Sequence, residues 1–132
     1  MSAKSDYLET ALFNHVLRNI AMVSPTTVYA ALFTVAPTDA GGGTEVAGNA
    51  YVREPITFGA PVAGPSGTCS NSVAVNFPTA SGGNWGTIVA MGIFDALTNG
   101  NLLYYGNLAS NKTVSNGDQL SFAIAALTVT ES

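Results

Sequence analysis

The chain has 132 residues, enough for one domain with a sizeable core, since chains of this length hide roughly two-thirds of the surface exposed when unfolded. Charged residues make up only 9 % of it, where an average soluble domain carries about 25 %, while the hydrophobic fraction is an ordinary 47 %. Four basic residues (Lys4, Arg18, Arg53 and Lys112) against eight acidic ones leave a net charge of −4, which excludes a basic patch for nucleic acid.

The first predicted element is a helix over about Asp6 to Ala21. Leu8, Leu12, Phe13, Val16, Leu17 and Ile20 fall on one half of a wheel of 100° per residue. Ser5 is the expected N-cap. Asp6 and Glu9 in the first turn, with His15 and Arg18 near the last, suit the helix dipole. Ser24-Pro25 is the expected stop. The apolar half needs a partner, either the chain's own sheet or another subunit.

Beyond Pro25 the pattern becomes β. Thr27 to Val35 reads as a core strand bounded by prolines, and Pro37 to Asn49, with three glycines at 41 to 43, as a flexible turn-rich loop. That loop lacks the Gly-Lys-Ser/Thr ending of a phosphate-binding loop. Tyr51 to Phe58 alternates as a strand does, but Pro55 cannot donate to a ladder, which places it at an edge or bulge. Gly59 to Asn71 reads as another loop, followed by a short strand at Val73 to Phe77. Thr87 to Phe94 and Asn101 to Leu108 flank Asn99-Gly100, two residues that tolerate positive φ, and form the best hairpin in the chain. Leu120 to Thr130 reads as one long terminal strand. Six to eight strands at this spacing predict a mainly β fold, an antiparallel β-sandwich of jelly-roll-like form. Residues 1–24 would be its helical segment and 25–132 the sandwich, all in a single domain.

Residues able to do chemistry are sparse. His15 is the only histidine and Cys69 the only cysteine, which leaves no intrachain disulfide, no His cluster for a metal and a single possible base for a nucleophile. Asp39, Glu45, Glu54, Asp95 and Asp118 are the internal carboxylates, and turn chemistry accounts for them better than paired acid–base work. Residues 95–100 match a calcium loop only in part, because Leu97 stands at a ligand position. Asn111-Lys112-Thr113 fits a glycosylation sequon with no secretion signal beside it. Tyr29, Tyr51, Tyr104, Tyr105 and Trp85 are candidates for a sugar platform or for packing. Tyr104 and Tyr105, being adjacent, must face opposite sides of a sheet. No catalytic residue, metal or cofactor is expected, and the chain is not expected to be an enzyme. No stretch approaches the ~18 apolar residues of a membrane span, so no membrane partner is expected, and the N-terminus reads as that of a protein made in a cytoplasm.

Several segments taken together resemble a known group. YLETALFNHVLRN, the stretch from SPTTVYAALFTV through YVREPITF, FPTASGGNWGTIVAMGIFDALTNGNLLYYGNL and GDQLSFAIAALTVT are similar to small virion proteins of tailed bacteriophages. The most specific part is TEV…YVRE…ITF followed by NWG…GIFDALTNGNLLYYG. No catalytic residues come with the resemblance. It implies a virion subunit that forms a homo-oligomer, a trimer among the options, and docks on the major capsid protein or other virion proteins. The leading expectation is a capsid decoration (cement) protein. The alternatives are a tail-fibre or baseplate adaptor and, from another class, a carbohydrate-binding module. The residues expected at an interface are Leu8, Leu12, Phe13, Val16, Arg18, Trp85, Tyr104 and Tyr105.

Overall fold

In the computed structural model, which describes residues 3–131, strand β2 (Val28–Val35) lies beside β7 (Gly86–Phe94), and β7 forms a hairpin with β8 (Leu102–Val114). Both pairings are antiparallel, with Leu32 opposite Met91 and Gly92 opposite Tyr105. The two-residue β1 (Ala3–Lys4) adds to β8 at Tyr104 and Tyr105. Two short strands share the far edge of β2: β3 (Thr44–Glu45) at its C-terminal half and β4 (Glu54–Ile56) at its N-terminal half. Pro55 thus sits in an edge strand, as its missing N–H requires. Two small antiparallel ribbons complete the fold, β5 (Gly67–Ser70) with β10 (Thr128–Glu131) and β6 (Val75–Asn76) with β9 (Ser121–Phe122). Among the described residues the protein is therefore mainly β, with antiparallel sheets, one helix near the N-terminus and no closed barrel.

The larger core lies between one face of the six-stranded sheet and the β6–β9 side. Leu32, Ile88, Met91 and Phe77 are fully buried there, with Val75, Val114 and Leu120 around them. Tyr51 meets Trp85 edge-on at 5.3 Å between ring centroids, and Phe77 meets Phe122 in the same way. A smaller core covers the opposite face, where Phe33 stacks on Phe94 across Gly92. A Cβ on Gly92 would come within 3.1 Å of the Leu102, Phe33 and Phe94 side chains, so a larger residue here requires all three to shift. The hairpin turns through Asn99 (φ 55°) and Gly100 (φ 73°), as the Asn-Gly pair predicts. Asp95 braces that turn by accepting from the Asn101 backbone N–H and side-chain amide.

Three expectations are corrected. The terminal strand is broken: β9 and β10 are separated at Ala123 to Leu127, where Ala125 takes a φ of 65°. Asn71, 1 % exposed, is inserted into the break. Its amide donates to the Ala123 and Val73 carbonyls and its Oδ1 accepts from the Leu127 N–H. A buried asparagine satisfied in this way diverts the chain from one ribbon to the next, an arrangement no local alternation reveals. Strand β5 occupies part of the expected loop 59–71 for the same reason, since its partner β10 lies almost sixty residues away. The helix α1 (Asp6–Leu17) ends earlier than expected, because Asn19 turns left-handed (φ 56°) and the Ile20 N–H folds back to the Asn14 carbonyl. No helix among the described residues is long and apolar enough to cross a membrane.

Candidate assembly surface

Helix α1 starts as its sequence predicts: the Ser5 hydroxyl accepts from the Leu8 N–H at 3.2 Å and itself donates to the Leu102 carbonyl. The Ser5 N–H bonds the Leu103 carbonyl and the Asp6 N–H bonds the Asp39 carbonyl, so the first turn is pinned to β8 and to the glycine loop. From there the helix leaves the body. Leu8 is 5 % exposed and Leu12 half-buried, but Phe13, Val16 and Leu17 are 63 %, 70 % and 71 % exposed. Ile20 and Val23, beyond the last turn, are exposed as well. The half-wheel of apolar residues read from the sequence is thus real, and most of it faces solvent. Arg18 lies off this stripe and bonds Asn14 through its guanidinium, while His15 Nδ1 accepts from the Met22 N–H of the returning chain.

A hollow of about 460 Å³ runs along the stripe between Lys4 and Leu17. The Lys4 ammonium lies 2.7 Å from a Glu131 oxygen, and the Tyr104 hydroxyl donates to the other. Burial pushes the Glu131 carboxyl upward, but the bonds from Lys4 and Tyr104 and the lysine charge outweigh it and hold the group below the ordinary glutamate range. Burial, aided by the Glu131 bond, raises the Tyr104 hydroxyl well above its usual value, so it stays a donor. Beside this triad opens an apolar groove of about 290 Å³ walled by Val28, Phe58, Ile93, Leu103 and Val129, with Cys69 in its lining.

The opposite side of the sheet holds a more polar cleft of about 570 Å³ around the first helical turn, the glycine loop and the hairpin tip. Its frame is Arg53, 8 % exposed. Its Nε and Nη2 grip both Glu45 oxygens at 2.9 and 2.8 Å, Nη1 donates to the Ala96 and Asn99 carbonyls, and the guanidinium lies 3.8 Å over the Phe94 ring. Tyr51 donates to the same glutamate and accepts from the Leu32 N–H, while Val46 N–H bonds the Leu32 carbonyl. The edge of β2 between β3 and β4 is thereby capped. Burial pushes the Tyr51 hydroxyl far above the usual tyrosine value. Tyr105 points toward this side, as its alternation with Tyr104 requires. It donates to Asp39, and that bond pushes its hydroxyl up to about 12.

The residues named from sequence therefore divide. Phe13, Val16 and Leu12 lie together on the uncovered stripe, Tyr104 borders the groove next to it, and Tyr105 and Arg18 lie elsewhere. Leu8 and Trp85 are core residues of the chain itself, each 5 % exposed, and the Trp85 indole N–H bonds the Asn49 carbonyl. Tyr51 is also packed against the core, so of the five aromatics considered for a sugar platform Trp85 and Tyr51 are taken up by internal packing. Of the carboxylates, Glu45 is held by Arg53, Asp95 by Asn101 and Asp118 by the Ser115 N–H. The Arg53 clasp and the groove at Cys69 were not legible beforehand, because both are built by strands far apart in sequence.

The described residues thus form a mainly β body with one helix, most of whose apolar face is bare. The chain belongs to the family described as podophage GP4 fiber I protein gp80, whose model matches residues 3–130. It is thus a structural virion protein, as the sequence resemblance implied. No curated protein matches it.

Proposed function

We propose that the chain is a building block of the tail fibre, joining copies of itself and neighbouring virion proteins through neutral, apolar surface. The observation that carries this reading is the bare stripe of α1, with Phe13, Val16 and Leu17 each more than 60 % exposed on a chain so poor in charge. Monomeric proteins rarely leave contiguous apolar surface of that kind uncovered. The family description, that of a fibre protein, favours the fibre over the head-decoration role, which the sequence alone ranked first. The assembled state proposed is a homo-oligomer, with a trimer as the expected form, made in the host cytoplasm before it joins the particle. Its work is done by contact surface, with no catalytic step, cofactor, nucleic acid or membrane.

Gold-labelled antibodies against the chain, applied to intact particles and viewed by electron microscopy, test the location. Label on the fibres is expected. Label spread over the head shell would overturn the fibre reading in favour of capsid decoration.

A further inference from the structure

Two turns of the chain carry Asn-Gly after a hydroxyl residue: Thr98-Asn99-Gly100 at the tip of the β7–β8 hairpin, and Ser115-Asn116-Gly117 just beyond β8. Both are exposed, and in both the glycine takes a positive φ, 73° at Gly100 and 92° at Gly117. Asparagine before glycine is prone to cyclise, because glycine has no side chain to hinder its own backbone nitrogen from reaching the asparagine amide carbon. The two turns treat that nitrogen differently. The Gly117 N–H donates to the Ala80 carbonyl at 2.8 Å. The Gly100 N–H and the Asn99 side chain make no hydrogen bond among the described residues, while the Asn99 carbonyl, in the same peptide unit as that N–H, accepts from Arg53 Nη1 at 2.8 Å.

We infer that Asn99 is a site of covalent self-modification, losing its side-chain amide through a cyclic imide with Gly100 to become aspartate or isoaspartate. The Gly100 nitrogen gives up its proton and bonds Asn99 Cγ. The Cγ–Nδ2 bond then breaks, ammonia leaves, and water opens the five-membered imide at one of its two carbonyls. Water is the only co-reactant. Arg53 favours the first step: its charge-assisted bond draws electron density from the peptide unit and stabilises the anion left when the nitrogen loses its proton. The turn itself retains the reactive neighbour, since a Cβ on Gly100 would lie 2.5 Å from Asp95 Oδ1 and 2.6 Å from Ala96 Cβ. The product adds a carboxylate to a chain already at −4. In the isoaspartate form the main chain runs through Cγ and the carbonyl that Arg53 holds becomes a free carboxylate, so the guanidinium that grips Glu45 faces a second acid.

Trypsin cuts after Lys112 and so places the two sites on different peptides. The full chain is held at mildly alkaline pH, sampled over weeks, digested and analysed by mass spectrometry with electron-transfer fragmentation, which separates aspartate from isoaspartate. Asn99 is expected to convert at least about threefold faster than Asn116, a backbone hydrogen bond being worth a factor of that order. In urea, where only local sequence acts, the two rates are expected to meet. Arg53→Met, shown to be folded by circular dichroism, is expected to slow Asn99 and leave Asn116 unchanged. Equal rates in the folded chain, or Asn116 the faster, would overturn the site. A difference that persists in urea would overturn its structural cause, and an Asn99 that converts as fast or faster in Arg53→Met would overturn the part given to Arg53.

Discussion

Replacing Arg53 by Met tests how the fold fastens its two edges together. The substitution keeps an unbranched apolar stem over Phe94 and removes the guanidinium. Four hydrogen bonds go with it: two to Glu45, one to the Ala96 carbonyl and one to the Asn99 carbonyl. Removing one member of a buried ion pair costs about 3–5 kcal/mol, chiefly because the other charge is left unpaired. Glu45 retains Tyr51 as a donor and its side chain is 25 % exposed, so water recovers part of the loss and the expected cost lies near ~3 kcal/mol. For a domain of this size that corresponds to a fall in Tm of roughly 10 °C. Arg53→Lys keeps the charge but not the planar fork, and is expected to fall between the two. Calorimetry or thermal circular dichroism on the three proteins supplies the measurement. If Arg53→Met melted within a degree or two of wild type, the clasp would be ornamental and the reasoning from its geometry refuted.

Asn71→Leu is expected to cost about 1–3 kcal/mol, chiefly by stranding the buried Leu127 N–H, with faster hydrogen exchange in β9 and β10 ahead of the β7–β8 hairpin; equal protection in both regions would argue against the insertion as the cause of the break. Stability should also fall at low pH through Glu131. Its folded-state value is lowered, so its contribution is present above the ordinary glutamate value of about 4.3 and is lost as pH falls through the lowered one. Because the Glu131 side chain is 42 % exposed, the effect is under ~1 kcal/mol, and Glu131→Gln should flatten that part of the Tm-against-pH curve; a slope unchanged in the variant would assign it to other carboxylates.

Local rules were readable wherever the structure obeys them. Ser5 caps the helix, Pro55 marks an edge, Asn99-Gly100 turns the hairpin, and Tyr104 and Tyr105 diverge to opposite faces. What escaped was long-range. LSFAIAALTVT alternates like one strand, and only Asn71, about fifty residues earlier, breaks it. Glu45 was read as a turn carboxylate and Arg53 only counted among the four basic residues, because their meeting depends on β3 and β4 sharing one edge of β2. The helix is the most instructive case. Its 3.6-residue periodicity correctly marked an apolar face, but periodicity carries no information about what covers that face. Tertiary structure supplied the answer: the first turn is anchored to β8, and the rest of the face stays uncovered.

The central claim is that this face is an assembly surface. Its most direct test is the solution mass of the full chain, by size exclusion with light scattering, beside a Phe13→Asp/Leu17→Asp variant. Both side chains are more than 60 % exposed, so the variant should fold and melt as wild type does, because exposed positions away from structural contacts usually change stability by no more than ~0.5 kcal/mol. The account predicts a defined oligomer for wild type and a folded monomer for the variant; an oligomer of unchanged mass, or a variant that unfolds, would contradict it.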